Sequence, residues 1–360
     1  MSEQNWDVSE TNDHHVTIIV SPHERFGVAV ESLQSVAKET RAPFRLVYVD
    51  AGSPLAVSAE IARLCAANGW THLRIDGFLT PNQARNRGLR EARSRHVVFL
   101  DNDVIVAPGW LDALVRCAEE TGAEIVVPLT CQKLPLHTEI HQAGGSFAAD
   151  PQRFFANPTA EQLIEREHHL QGEKVADVTL ERGDTQCCEF HCALVRRDVL
   201  LRHGGLDEGL MATREHIDFS MTVLRDGGRL VFEPASVVTY VFPNRASPLR
   251  REDWAFFALR WSPQWQRRSL EHFSRKWGLG DGSYFRKREK ALSWRHNIGI
   301  ARPLVRRTPL LTRAPGVERI AAGLVTRVLG MWSGAMALAH RRRTPPRIAP
   351  GVAVAPQAAE

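Results

Sequence analysis

The sequence lacks the marks of several protein classes. It has no CxxC pair and no disulfide-like framework; Cys65, Cys117, Cys131, Cys187, Cys188 and Cys192 are scattered through 360 residues, so reduced thiols in a cytoplasmic protein are the expectation. It has no apolar leader: residues 1–15 are polar and acidic, which excludes a signal peptide there and reads as a disordered tail. No internal repeat is visible. No glycine-rich loop bearing Arg or Lys follows the first apolar segment, where Ser21-Pro22-His23-Glu24-Arg25-Phe26-Gly27 stands instead. The one long apolar stretch, residues 317–340, is interrupted by Arg327 and is borderline for a membrane span, which needs about 20 apolar residues.

What is present is an ordinary globular composition, 43% apolar, with a net charge of +5 that is unevenly spread. Residues 286–313 carry Arg286, Lys287, Arg288, Lys290, Arg295, Arg302, Arg306, Arg307 and Arg313 against Glu289, and Arg341-Arg342-Arg343 form a second cluster. Such clusters suit anionic partners or a solvated basic face.

The most informative stretch is Val97-Val98-Phe99-Leu100-Asp101-Asn102-Asp103-Val104. Four consecutive apolar residues read as a strand buried on both faces, the kind found in parallel sheets. Ligands of open α/β sheets sit at the carboxyl ends of such strands. Asp101 and Asp103 would share one face if the extension continues. Two carboxylates placed this way suit a hard divalent cation, Mg²⁺ or Mn²⁺, although a bare D-x-D also fits a turn.

Apolar segments and helical periods alternate along the first third of the chain. Strands are expected over 16–20, 44–49, 71–75 and 97–100, with helices over 27–39, 55–67 and 82–93. A helix over 110–121, a strand over 124–128, a strand-like run over 187–195, a helix from about 214 to 225 and a strand over 230–240 interrupted by Pro234 follow. Residues 131–185 read as loops with one charged helix near 160–169. This order predicts a doubly wound, mostly parallel α/β sheet. Beyond Pro243, the aromatics Trp254, Phe256, Phe257, Trp261, Trp265, Phe273 and Trp277 read as a helical extension packed on the sheet domain. Residues 316–343 fit an interfacial amphipathic helix or an ordinary packing helix, and residues 344–360 a disordered tail.

Taken in order, several short segments resemble family 2 glycosyltransferases of the GT-A fold. They are Val16-Thr17-Ile18-Ile19-Val20 with Arg25 following, Val47-Tyr48-Val49-Asp50-Ala51-Gly52-Ser53, Ala84-Arg85-Asn86-Arg87-Gly88-Leu89, Phe99-Leu100-Asp101-Asn102-Asp103, Gly204-Gly205-Leu206-Asp207-Glu208 and Glu215-His216-Ile217-Asp218-Phe219. The resemblance covers residues 16–245. It implies a nucleotide-sugar-binding half over 16–130 and an acceptor-binding half over 131–245, while the composition beyond them reads as a helical, aromatic and basic extension over 246–315. It also implies an inverting transfer from a nucleotide-diphosphate sugar to the hydroxyl of a glycan, lipid-linked or small-molecule acceptor, with Mn²⁺ or Mg²⁺ as cofactor and no nucleic acid partner.

By the same resemblance Asp101 and Asp103 hold the metal. Arg25, Asp50, Ser53, Arg85, Asn86, Asp101 and Asn102 contact the donor, and Glu215, His216 and Asp218 carry the catalysis. The family places an acid where His216 stands and often a metal-binding His where Tyr240 stands. A base must take the acceptor proton, and Glu215 is the first choice here, with His216 positioning substrate and Asp218 holding the helix start or the acceptor. A cytoplasmic enzyme with peripheral contact at the inner membrane face is expected. A non-catalytic sugar-nucleotide-binding protein and a sugar-phosphate nucleotidyltransferase are the competing readings.

Overall fold

A computed structural model of the chain describes residues 16–343 apart from 148, 149, 157, 160–162, 164, 167, 245, 246, 281 and 313. The tails expected at 1–15 and 344–360, Arg313, and parts of the helix expected near 160–169 lie outside the described residues.

Strands β1 (Val16–Ser21), β2 (Arg45–Ala51), β3 (Thr71–Ile75), β4 (His96–Asp101), β5 (Val104–Val106), β6 (Ile125–Gln132) and β7 (Glu139–Gln142) are followed by the short β8 (Ser146–Phe147), β9 (Glu165–Arg166) and β10 (Gly183–Thr185), then β11 (Cys192–Arg196) and β12 (Leu230–Tyr240). The main sheet runs β10-β12-β6-β11-β4-β1-β2-β3, with β5 added to β12 and β7 to β6. The pairs β1–β2, β1–β4, β2–β3 and β6–β12 are parallel, and β11 lies antiparallel between β4 and β6. The doubly wound, mostly parallel sheet with a helical C-terminal extension is therefore the fold observed.

The helices α1 (Ala29–Glu39), α2 (Leu55–Ala67), α3 (Pro81–Leu89), α4 (Trp110–Thr121), α5 (Pro151–Ala156), α6 (Arg197–Arg202) and α7 (Glu215–Arg225) belong to the sheet domain. The β4 run explains why helices lie on both faces. Val98 and Leu100 join the core under α1, α2 and α4, while Val97 and Phe99 join the core under α3, α6 and α7. Period-two alternation with apolar residues on both sides leaves neither face for water. Because β4 pairs with β1 on the side away from β2, the chain reverses its winding between β1 and β4. That switch point opens a crevice at the carboxyl ends of the two strands.

Three local expectations need correction. The strand expected over 187–195 begins only at Cys192, where its antiparallel register with β4 begins at the Cys192–Leu100 pair. The loop reading of 131–185 misses β7, β8, β9, β10 and α5, and Glu165–Arg166 is a strand paired with Ser146–Phe147 rather than part of a helix. These strands are too short to show a period. Asp103 does not extend β4, since the strand stops at Asp101 and a turn intervenes before β5.

The C-terminal extension comprises α8 (Trp254–Arg260), α9 (Pro263–Trp277), α10 (Ser283–Lys290), α11 (Trp294–His296), a π-helical stretch Asn297–Ala301, α12 (Arg302–Val305) and the long α13 (Pro315–Arg343). Ser262 caps α9, with Pro263 at its first position. Leu270, Phe273 and Trp277 of α9 pack against Ile217 and Met221 of α7. Lys276 joins the two helices by charge: its Nζ lies 2.7 Å from Asp218 and 3.0 Å from Asp207. Trp277 Nε1 donates to the other oxygen of Asp218 at 2.8 Å.

Removing one partner of a buried ion pair strands the other charge, at about 3–5 kcal/mol. Lys276 is 28% exposed, so Lys276→Met should cost no more than the low end of that range, about 3 kcal/mol. Urea unfolding checks it; an unchanged midpoint would show that the Asp207–Lys276–Asp218 bridge does not hold the extension.

Candidate active site

Asp101 and Asp103 lie at the carboxyl end of β4, beside the loop after β1, while Asp50 stands at the end of β2. Asp101 is fully enclosed. One oxygen accepts from Arg85 Nη2 at 2.9 Å and the other contacts His191 Nδ1 at 3.1 Å. Burial alone would raise its pKa, but His23, Arg85 and His191 outweigh that and hold the carboxyl well below the usual range. Arg85 reaches it because α3 lies close over β1. A Cβ on Gly88 would stand 2.3 Å from the Ile19 side chain, so only glycine permits that approach. The guanidinium also stacks 4.4 Å over the Phe190 ring.

Asp103 differs sharply from Asp101. It is 0% exposed, and neither carboxylate oxygen has a hydrogen-bond partner among the described residues. Its nearest charge complement is His23 Nδ1 at 3.5 Å, which is itself without a hydrogen-bond partner. Burial pushes the His23 pKa down, but Asp101 and Asp103 more than reverse it. The ligand atoms of His23, Glu24 and Asp103 lie within 4.8 Å of one another, as do those of His23, Asp101 and His191. A buried carboxylate whose oxygens lack close hydrogen bonds favours a cation beside it, and either a protonated His23 or a metal ion that His23 helps to hold would supply it. The oxygen-rich set around Asp103 fits a hard divalent ion, whereas both oxygens of Asp101 are already engaged.

Several polar residues of the motifs are spent on the backbone. Asn102 accepts from His23 N at 3.0 Å and donates to Arg25 O at 2.9 Å, fixing the loop after β1. Asn86 binds both the N–H and the C=O of Leu206, each at 2.8 Å, and holds the Gly205 turn so tightly that a Cβ there would lie 2.8 Å from it. Arg25 donates to Val241 O, Ser247 Oγ and Pro248 O. Asp50, buried at the end of β2, receives Ser53 N, Ser58 Oγ, His72 and Arg74. Those bonds overcome the effect of burial and hold its carboxyl below the ordinary range. The hydroxyl of Ser53 is buried without a partner.

At the start of α7, Arg214 adopts a left-handed conformation, with φ of 72°. Glu215 is buried, with one oxygen 2.8 Å from Arg260 Nη2 and the other unpartnered. Burial raises its pKa, but Arg260 prevails and brings it down to about 2. His216 is partly exposed beside it. Asp218 turns away into the Lys276–Trp277 contact, and burial raises its pKa.

The structure gathers further residues around these groups, beginning with Tyr240, which the resemblance marked as a departure from the family. Tyr240 donates to Glu24 Oε2 at 2.5 Å and stacks on His191 with ring centroids 4.0 Å apart. Arg295, from the extension, lies 3.4 Å from the other oxygen of Glu24. Glu189, His141 and His168 continue from His191: His141 Nε2 is 3.1 Å and His168 Nε2 3.0 Å from the Glu189 carboxylate. Burial lowers the His141 pKa to about 4 against the pull of Glu189, and Glu189 itself stays ionised because the three imidazoles outweigh its burial. Glu189-Phe190-His191 carries the same two-residue spacing as Asp101 and Asp103, the one signal that could have marked it in the sequence.

The family model described as Glycosyl transferase family 2 matches residues 17–204, just over half of the chain. Over 208 residues the chain is 25% identical to the Pre-mycofactocin glycosyltransferase of Mycobacterium tuberculosis, covering 54% of this chain and 37% of that protein. Over 114 residues it is 27% identical to an uncharacterized glycosyltransferase of Rickettsia conorii, covering 31% of this chain and 18% of that protein. The matches thus span less than a fifth of the Rickettsia relative and just over a third of the mycobacterial one. Among solved structures, GalNAc-T7 with UDP, GalNAc and Mn²⁺ gives a TM-score of 0.49 at 15% identity, covering 79% of this chain and 57% of that one. The mannosyltransferase PcManGT of Pyrobaculum calidifontis, in complex with GDP-Man and Mn²⁺, gives 0.45 at 16% identity, covering 95% and 91%.

Proposed function

The chain belongs to glycosyl transferase family 2, and on that premise we propose that it moves a sugar from a nucleotide-diphosphate sugar to an acceptor hydroxyl, with inversion and with Mn²⁺ or Mg²⁺ at Asp103. The observation that carries this reading is the Asp103 carboxylate, fully buried with both oxygens bare at the switch point of the sheet. Asp103, His23 and Glu24 would hold the cation, which when bound neutralises charge on the diphosphate leaving group. Arg85 and His191 keep Asp101 ionised and oriented beside it. Asp50 fixes the 51–54 turn and leaves the Ser53 hydroxyl for the nucleoside.

For the proton of the acceptor, the Arg260 contact favours one of the two candidates. A carboxylate held at a pKa of about 2 is a weak base at neutral pH. We therefore assign the proton transfer to His216, whose ring is partly exposed, and give Glu215 a positioning role at the helix start. Asp218 holds α7 to α9.

Attachment to an anionic membrane forms part of the same reading. Pro315–His340 within α13 is long and apolar enough to cross a membrane, with one third of that window buried. Its inner face packs through Leu329 and Ala337, leaving Ile320, Leu324, Val328 and Met331 exposed beside Arg319 and Arg327. An apolar stripe with flanking arginines suits a headgroup surface better than a span.

Three outcomes test these points. Nucleoside diphosphates should raise the melting temperature of the protein more with Mn²⁺ than without it, by mass action on the native state. Asp103→Ala should lose the Mn²⁺-dependent part, and an undiminished Mn²⁺ effect in that variant would refute the metal assignment. His216→Asn should lower kcat by about 10²–10⁴-fold with donor affinity spared, whereas Glu215→Gln should cost less. The opposite ranking would return the role to Glu215. The full chain should sediment with phosphatidylserine vesicles and be released as salt rises; a Val328→Asp, Met331→Asp double variant that sediments equally would exclude α13 as the contact.

A further inference from the structure

We propose that His141, Glu189 and His191, with His168 at the rim, form a second metal site, for a zinc-type divalent cation, separate from the carboxylate site at Asp103. The inference does not depend on the reaction assigned above.

The distances suit one ion. Glu189 Oε2 lies 3.1 Å from His141 Nε2 and 3.7 Å from His191 Nε2, and Glu189 Oε1 lies 3.0 Å from His168 Nε2. With metal bonds of about 2.1 Å the edge of a tetrahedron is about 3.4 Å, within the spread observed. The ligand atoms of His141, Glu189 and His191 are mutually within 4.8 Å, and all three residues are buried.

The hydrogen bonds on the far side of each ring settle which nitrogen is bare. Asp101 is an ionised acceptor, so the His191 Nδ1 that contacts its Oδ2 at 3.1 Å carries the proton, and Nε2 presents a lone pair. Gln132 donates its amide nitrogen to Glu139 at 2.7 Å, which turns its Oε1 towards His141 Nδ1 at 3.2 Å. His141 Nδ1 therefore donates too, Gln171 Nε2 being the longer contact at 3.4 Å. Both Nε2 lone pairs then face a carboxylate.

Among the described residues Glu189 Oε2 has no hydrogen-bond partner despite these neighbours, and the residue is 8% exposed. With both rings in these neutral tautomers, three acceptors converge on one point and repel each other unless a cation joins them. An imidazole whose other nitrogen is held by a carboxylate or an amide oxygen is the usual form of a metal-binding histidine. The nitrogen-rich set selects zinc-like ions, in contrast to the oxygen donors at Asp103. His168, the more exposed ring, provides the way in. The ligands come from β7 and from the connection before β11, so the ion would clip the irregular segment of the chain to Asp101 through His191.

The test uses the full-length chain stripped with a chelator and then equilibrated with micromolar Zn²⁺ or Co²⁺. The expected result is about one tightly held zinc per chain, and with Co²⁺ the intense visible bands of a tetrahedral site. His141→Ala and Glu189→Gln should each weaken that binding at least tenfold, while Asp103→Ala should retain it. The proposal fails if the wild-type chain holds no Zn²⁺. In that case the cluster is a protonated hydrogen-bond network, and this outcome needs no variant to fold. It also fails if Asp103→Ala abolishes the tetrahedral Co²⁺ spectrum, or if Glu189→Gln and His141→Ala bind as wild type does.

Discussion

Burying carboxylates at the end of an apolar strand is the constraint to which the rest of the site answers. Asp101 leaves water entirely, and an ionised carboxylate in a low-dielectric interior costs several kcal/mol unless it is paired and hydrogen-bonded. Arg85 and His191 meet that requirement from opposite sides. Each must then be placed in turn. Arg85 rides on α3, whose Gly88 lies against β1. His191 stands where the chain enters β11, whose backbone also accepts from Asp101 N at 3.1 Å. Compensation of one charge thus fixes two segments far apart in sequence.

The same logic explains why the C-terminal extension is more than a covering layer. Three of its cations reach three groups of acids in the sheet domain: Arg260 at Glu215, Lys276 at Asp207 and Asp218, and Arg295 at Glu24. Part of the positive excess of the chain is therefore an internal complement to acids that β-strand ends and the start of α7 leave buried. The Glu215 contact has a chemical consequence, because an acid stabilised by an adjacent guanidinium loses basicity as it gains stability.

Residues of similar appearance have divided their work. Asn102, Asn86 and Arg25 look like ligand-binding groups, and in the fold they tie loops together through backbone atoms. Asp103 and Glu189 keep oxygens without partners in places closed to bulk water. In a folded chain nearly all buried polar atoms are satisfied, and these two exceptions are the ones on which the proposed metal assignments rest.

The sequence by itself determined the alternation of strand and helix, the burial of 97–100 on both faces, and the position of the Asp101–Asp103 pair at the carboxyl end of β4, because these follow from local periodicity and from the run of apolar residues. It also carried the family motifs in order. Tertiary structure alone decided that Asp103, not Asp101, is the carboxylate without hydrogen bonds among the described residues, that Arg260 pairs with Glu215, and that Asp218 belongs to the contact with α9. Those outcomes depend on cations tens of residues away, whose arrival no local pattern encodes. The short strands of 131–185 were hidden for a related reason: two- to four-residue strands have no measurable period and exist only because a long partner pairs with them or the chain folds back on itself there. The His141–Glu189–His191 cluster is the clearest case. Its members lie on segments that meet only once β7 has paired with β6 and β11 with β4.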